Sequence, residues 1–151
     1  MAYKGKYKVK NRDKYVGAVD NVQYRSAWER RFMVYCDISQ KNIVRWSSEE
    51  IVLPYVSPVD GKVHRYFPDF WIEQKGADGN LRHLLIEVKP KEQCGPPKKP
   101  LKKFKNSRSK FRYLNAIKTW KINEAKWKAA EEFCADRKWT FKILTEDHLV
   151  K

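Results

Sequence analysis

The sequence predicts an α/β domain, a mixed β-sheet flanked by helices in the order α-βββ-α-β. Three observations predict it. Apolar residues fall at helical spacing over residues 26–38, ahead of a β-rich stretch from 43 to 89. Within that stretch, Asp60-Gly61 and the run GADGN at 76–80 are hairpin turn signals between strand-like segments. A second helical pattern reaching residue 137 then leads into a last β-rich segment, WTFKIL at 139–144.

The first 22 residues lack a consistent apolar period and read as a basic N-terminal arm, ordered only where it meets the domain or a polyanion. Residues 23–151 read as a single domain. Its first helix carries Trp28, Phe32, Met33, Tyr35 and Cys36 on one face. Ser26 followed by Glu29 matches a capping box. Residues 43–46 (IVRW) are β-rich, and three strands follow as a meander: 50–57, where Pro54 marks an edge or bulge, then 62–74 and 81–89. Four prolines and a glycine in 90–100 make a loop, the core of a basic Pro-rich segment at about 90–108. Helical spacing resumes from about 109 to 120, and Asn123 reads as the N-cap of a further helix over 124–137. Thr145 caps a short terminal helix.

With 151 residues, 42% apolar and 14% aromatic, the chain has the material for one packed core and is not a disordered basic tail. No apolar run reaches the roughly 18–20 residues of a membrane span, and the first ten residues lack the apolar region of a secretory signal. Three cysteines (Cys36, Cys94, Cys134) without CxxC spacing argue against a disulfide framework or a zinc site and fit a reducing compartment.

The net charge of +15 is unevenly placed. Residues 1–25 carry seven Lys/Arg against two Asp, and 91–112 carry nine against Glu92 alone. Residues 26–90 carry nine of each sign. Clustered positive charge points to a polyanion, foremost nucleic acid, bound through its phosphates. Lys4, Lys6, Lys8 and Lys10 in the arm, and Lys98, Lys99, Lys102, Lys103, Lys105, Arg108, Lys110 and Arg112 after the prolines, are the expected DNA contacts. Nothing resembles a base-reading helix or zinc finger, so contacts of little sequence specificity are expected. No Walker A loop and no nucleophile elbow is present. His64, His83 and His148 are not spaced as metal ligands.

The most informative stretch is 67–89. Strands turning about residue 78 pair residues whose numbers sum to about 156, which sets Asp69 opposite Glu87. Alternation puts Leu84, Ile86 and Val88 on one face and Glu87 and Lys89 on the other. Two carboxylates so close repel unless a cation lies between them, and hard oxygen donors suit Mg²⁺. The Val88 carbonyl is a natural extra donor. Spacing alone leaves open a plain salt bridge of Lys89 with the two acids.

At these residues the sequence resembles the PD-(D/E)xK nucleases, which carry a helix Glu, a strand Pro-Asp and a Glu-x-Lys. Here these are Glu29, Pro68-Asp69 and Glu87-Val88-Lys89. YRSAWE (24–29), RYFPDFW (65–71) and IEVKPK (86–91) look like transposon end-cleaving and junction-resolving members. Nearly the whole chain looks like the head-completion proteins of large contractile-tailed phages. The resemblance implies a restriction-endonuclease-like core and a Mg²⁺-dependent DNA endonuclease, with Mn²⁺ able to substitute, that processes packaged DNA before tail attachment. Carried over, Asp69 and Glu87 are metal ligands, Lys89 assists the nucleophile, and Glu29 is either a further ligand or the helix cap, roles that need different rotamers. Tyr66 and Lys91 flank the site and touch phosphate. The implied partners are double-stranded or branched DNA, portal or other head-completion proteins, and a second copy of the chain in a homodimer. The implied location is the host cytoplasm or the virion, with no membrane. The competing reading is a non-catalytic basic DNA-binding head protein that keeps the nuclease fold, and a more distant one is a ribosome-associated RNA binder.

Overall fold

The computed structural model describes residues 4–39 and 42–149. The elements are β1 (Gly5–Lys6), β2 (Gln23–Tyr24), α1 (Ala27–Ile38), β3 (Ile43–Ser48), β4 (Leu53–Val56), β5 (Val63–Tyr66), β6 (Phe70–Lys75), β7 (Leu81–Val88), α2 (Ser107–Arg137), β8 (Thr140–Leu144) and α3 (Glu146–Leu149). The central sheet has the order β3-β6-β7-β8. Its first three strands are antiparallel, whereas β8 joins β7 in parallel. A parallel neighbour requires a long crossover, and α2 supplies it.

The sheet is covered on both faces. Trp46, Phe70, Ile72, Leu84 and Ile86 pack under α1 with Phe32, Met33 and Cys36. Trp71 and Leu85, with Leu53, Tyr55 and Tyr66, pack under α2 against Trp127, Ala130 and Cys134. This explains why β7 reads as a nearly continuous apolar run. The β6–β7 register is Phe70↔Ile86 through Lys75↔Leu81, so paired numbers sum to 156. The turn at Gly76–Asn80 pins it: Gly79 takes φ +81°, Gly76 N donates to Asn80 O at 2.9 Å, and Asp78 Oδ1 accepts from Asn80 N at 3.0 Å.

Three expectations change. The strand foreseen over 62–74 is broken at Phe67-Pro68-Asp69. Its first half pairs with β4 in a separate two-stranded sheet, and its second half enters the central sheet between β3 and β7. Proline cannot donate to a ladder, so the chain changes sheets there, although β-propensity is continuous across the break. The two helices foreseen around Asn123 are one 31-residue helix, α2. It starts at Asn106, whose side chain accepts from Ser109 N while Ser109 Oγ accepts from Asn106 N, and Asn123 lies buried mid-helix. The N-terminal segment is wound into the domain from residue 4 onward, and residues 1–3 of the expected arm lie outside the described residues. Tyr7, Val9, Tyr15 and Val22 are buried under α1 and against Trp46. Strand alternation turns Lys4, Lys6, Lys8 and Lys10 to solvent. Their charge hides an apolar face of the opposite parity.

Candidate active site

Asp69, Glu87 and Lys89 come together at the edge where the β6–β7 ladder ends. The last paired residues are Phe70 and Ile86, so the Val88 N–H has no strand acceptor on the β6 side. The Asp69 carboxylate takes that place: Val88 N donates to Asp69 Oδ2 at 2.7 Å. Asp69 is held from behind by its own carbonyl, which accepts from Glu49 N at 3.1 Å. Pro68, fully buried, anchors the break that puts Asp69 there. Across β7, Lys89 N donates to Leu144 O of β8, continuing the parallel pairing past Val88.

Glu87 is buried and has two partners. Its Oε1 accepts from Tyr66 Oη at 2.6 Å, and its Oε2 lies 3.4 Å from Lys89 Nζ. Burial pushes the Asp69 carboxyl well above its ordinary value, and the Glu87 charge adds to this, with Glu29 contributing less. The Val88 N–H and Lys89 oppose the shift without cancelling it. Burial likewise raises the Tyr66 phenol, reinforced by the adjacent Glu87 carboxylate, so Tyr66 stays a donor.

Glu29 is placed by its helix-capping role. Ser26 Oγ accepts from Glu29 N at 3.1 Å, and Glu29 Oε2 accepts from Arg25 N at 2.6 Å, one residue before the partner a capping box prescribes. Burial raises its carboxyl, and the charges of Glu49 and Glu87 act in the same direction.

These groups open on a cleft of about 430 Å³ lined by Asp69, Glu87, Tyr66 and Phe67, with Glu49. Three cations complete its wall: Arg25, Arg65 and Lys126. Arg25 is paired with Glu49 at 3.3 Å. Lys126 of α2 lies over the rings of Tyr55 and Tyr66, 5.7 and 5.5 Å from their centroids. Sequence reasoning missed Arg25, Glu49, Arg65 and Lys126. For Lys126 the signal was its place beside Trp127 on a helix face otherwise turned to the sheet.

Two residues expected to touch phosphate are engaged otherwise. Tyr66 is 4% exposed and donates to Glu87, so it holds a carboxylate inside the site. Lys91 pairs with Asp147 at 3.1 Å, and its N–H donates to Glu146, which ties the start of the loop to α3. The basic residues from Lys98 to Arg112 are all exposed. Arg108 and Lys110 occupy the first turn of α2, which holds no acidic residue. Cations oppose the macrodipole at that end, so helix stability does not account for them. Among the described residues no cluster of three or more His, Cys, Asp or Glu side chains is placed to hold a metal.

Residues 40–146 match the family model described as TnsA-like endonuclease N terminal. The chain belongs to the TnsA-like endonuclease family. The restriction-endonuclease-like fold of that family agrees with the mixed sheet between helices described above. The head completion nuclease of Enterobacteria phage T4 is 41% identical over 149 residues, covering 99% of this chain and 95% of that protein. No solved structure matches. In this TnsA-like chain, Asp69, Glu87 and Lys89 lie inside the matched region, whereas Glu29 and the N-terminal basic segment precede it. Among the described residues no helix is long and apolar enough to cross a membrane.

Proposed function

We propose that the chain is a Mg²⁺-dependent DNA endonuclease that processes packaged DNA during phage head completion, acting on double-stranded or branched DNA. The observation that carries this reading is the pairing of two carboxylates, partly buried Asp69 and buried Glu87, in one cleft with Lys89 beside Glu87. Their donor chemistry fits the ion: two hard oxygen ligands, with the Asp69 carboxyl raised by burial and by the Glu87 charge, suit a divalent cation that keeps several waters. Bound there, Mg²⁺ supplies Lewis acidity toward a phosphate and a bound water of lowered pKa. Mn²⁺ is expected to substitute.

The chain's own residues do the positioning. The Val88 N–H fixes one Asp69 oxygen and Tyr66 fixes one Glu87 oxygen, so the ion would meet Asp69 Oδ1 and Glu87 Oε2, the latter beside Lys89. Lys89, on the same side of β7 as Glu87, places a positive charge beside the attacked phosphate, where charge builds in the transition state. Glu29 serves first as the cap that starts α1, and its charge reaches the site from there. Exposed Lys4, Lys6, Lys8 and Lys10 and the basic run from Lys98 to Arg112 grip the phosphate backbone outside the cleft. The head-completion role is taken over from the phage T4 relative, along with action in the host cell or virion and contact with portal or other head proteins.

Cleavage of linear and branched DNA by the purified protein, with Mg²⁺, with Mn²⁺ and with chelator, tests the reading. Metal-dependent cutting that disappears in Asp69→Asn and Lys89→Ala supports it. Equal cutting by both variants, or cutting undiminished by chelator, overturns it.

A further inference from the structure

We propose that the cavity between the Pro-rich loop and the middle of α2 is a nucleobase pocket, which takes an unpaired base of the DNA strand engaged at the carboxylate cleft. The proposal rests on the nuclease reading above and narrows its substrate to DNA with unpaired nucleotides beside the cut.

The starting point is Asn123. It lies at the centre of a 31-residue helix, is 9% exposed, and its amide has no hydrogen-bond partner among the described residues. Asparagine weakens a helix interior relative to alanine, and the Asn123 amide is not one of the unpartnered polar atoms sealed from solvent, so it faces the cavity. Neither the helix nor the core explains it. It lines a cavity of about 680 Å³ together with Trp120, Thr119, Gln93, Pro96 and Lys98. That volume falls in the range of roughly 300–1,000 Å³ typical of small-ligand sites.

The chemistry of the lining selects a base. A carboxamide presents one donor and one acceptor side by side, the complement of a base edge. Gln93 offers a second carboxamide. Trp120 supplies an aromatic wall, and its ring is braced edge-to-face by Trp127 at 5.9 Å. Bases stack on such rings with little regard to identity. Lys98 at the mouth continues the basic run that grips phosphate. Position along α2 links this pocket to the cleft. Lys126, three residues after Asn123 and therefore a neighbour on the helix surface, lines the cleft that holds Asp69 and Glu87. A strand crossing α2 meets both. Taking a base out of an intact duplex costs unstacking and unpairing, and an already unpaired base is spared most of that cost, so the base comes from an overhang, flap or junction.

The test uses the full chain carrying Asp69→Asn, so that binding is read without cutting. Three probes with equal numbers of phosphates are compared: a blunt duplex, a duplex with a short single-stranded tail, and the same duplex with an abasic tail. The tailed duplex is expected to bind at least about fivefold tighter than the other two. Adding Asn123→Ala is expected to remove that preference, leave blunt-duplex affinity unchanged and not lower Tm, because no hydrogen bond is lost. Equal binding of the tailed and abasic-tailed probes, a preference that survives Asn123→Ala, or a fall in Tm that marks Asn123 as structural would each overturn the proposal. The parent reading fails separately. Wild-type protein that cuts tailed and blunt DNA at the same rate keeps the nuclease and loses the pocket, whereas base-dependent binding without any Mg²⁺-dependent cutting keeps the pocket and loses the nuclease.

Discussion

Asp37 is fully buried and Asp69 partly buried, and their surroundings are opposite. Asp37, near the end of α1, accepts from Tyr7 Oη at 2.7 Å, Lys10 N at 2.8 Å and Asn11 N at 2.9 Å. Burial alone would raise its carboxyl, but these donors, with Lys14 nearby, hold it below its ordinary value. Asp69 has one backbone donor, Val88 N, and carboxylates for neighbours, and it is pushed up. A buried acid with donors on both oxygens is a fastener. One left short of donors and crowded by its own charge awaits something positive. The N-terminal segment is the first case and the cleft is the second.

Exchanging the two losses should separate the regions most sharply. Asp69→Asn is expected to lower cleavage on the order of 10³-fold, the scale of a single preorganised charge, while Tm in chelator stays level or rises. Asp37→Ala strands three donors at once and is expected to cost about 3–5 kcal/mol of stability, read by urea unfolding, with specific activity of the folded fraction kept. An Asp37 variant that is stable but inactive would break the comparison. Tyr66→Phe lies between the extremes. It frees one Glu87 oxygen and is expected to lower cleavage about 10- to 100-fold with little change in DNA affinity, as for partners that orient a metal ligand. An unchanged rate would remove Tyr66 from the site.

Acidity probes the fastener alone. Because the native Asp37 carboxyl lies below its ordinary value near 3.8, its contribution is complete above that pH and is lost as pH falls toward the native value. Tm of the wild type against Asp37→Asn, followed from pH 7 down to pH 2, should converge over that acidic interval; a constant gap would contradict the assignment. The smallest expected effect is at Lys126, which has no carboxylate partner among the described residues. Lys126→Gln should reduce the slope of log binding constant against log salt by about one, the signature of a single phosphate contact. An unaltered slope would leave Lys126 as packing on the tyrosine rings.

Much of the site was legible because strand pairing is arithmetic. A turn signal at Gly76–Asn80 and a period of two suffice to set Asp69 across from Glu87, and the observed register keeps the same sum. The turn and the alternation are local properties, encoded within a span of twenty residues. The alternation that exposes the N-terminal lysines is local too, but its apolar half, Tyr7 and Val9, looked like an arm because the surface that buries it belongs to α1 and β3. Glu29 stayed ambiguous in sequence because one carboxylate serves as cap or ligand depending on rotamer, and here it caps.

The sequence by itself determined the element types, the hairpin register, the acid pair with its lysine and the placement of the surplus charge. Each depends on neighbours along the chain or on composition. Only the tertiary structure decided that Pro68 sends the chain from one sheet to another, that Tyr66 holds Glu87 instead of phosphate, and that Lys126 enters the cleft while Asn123 faces a cavity one turn away. Those facts join residues tens of positions apart. They follow from how α2 packs across the sheet, which no local period or propensity encodes.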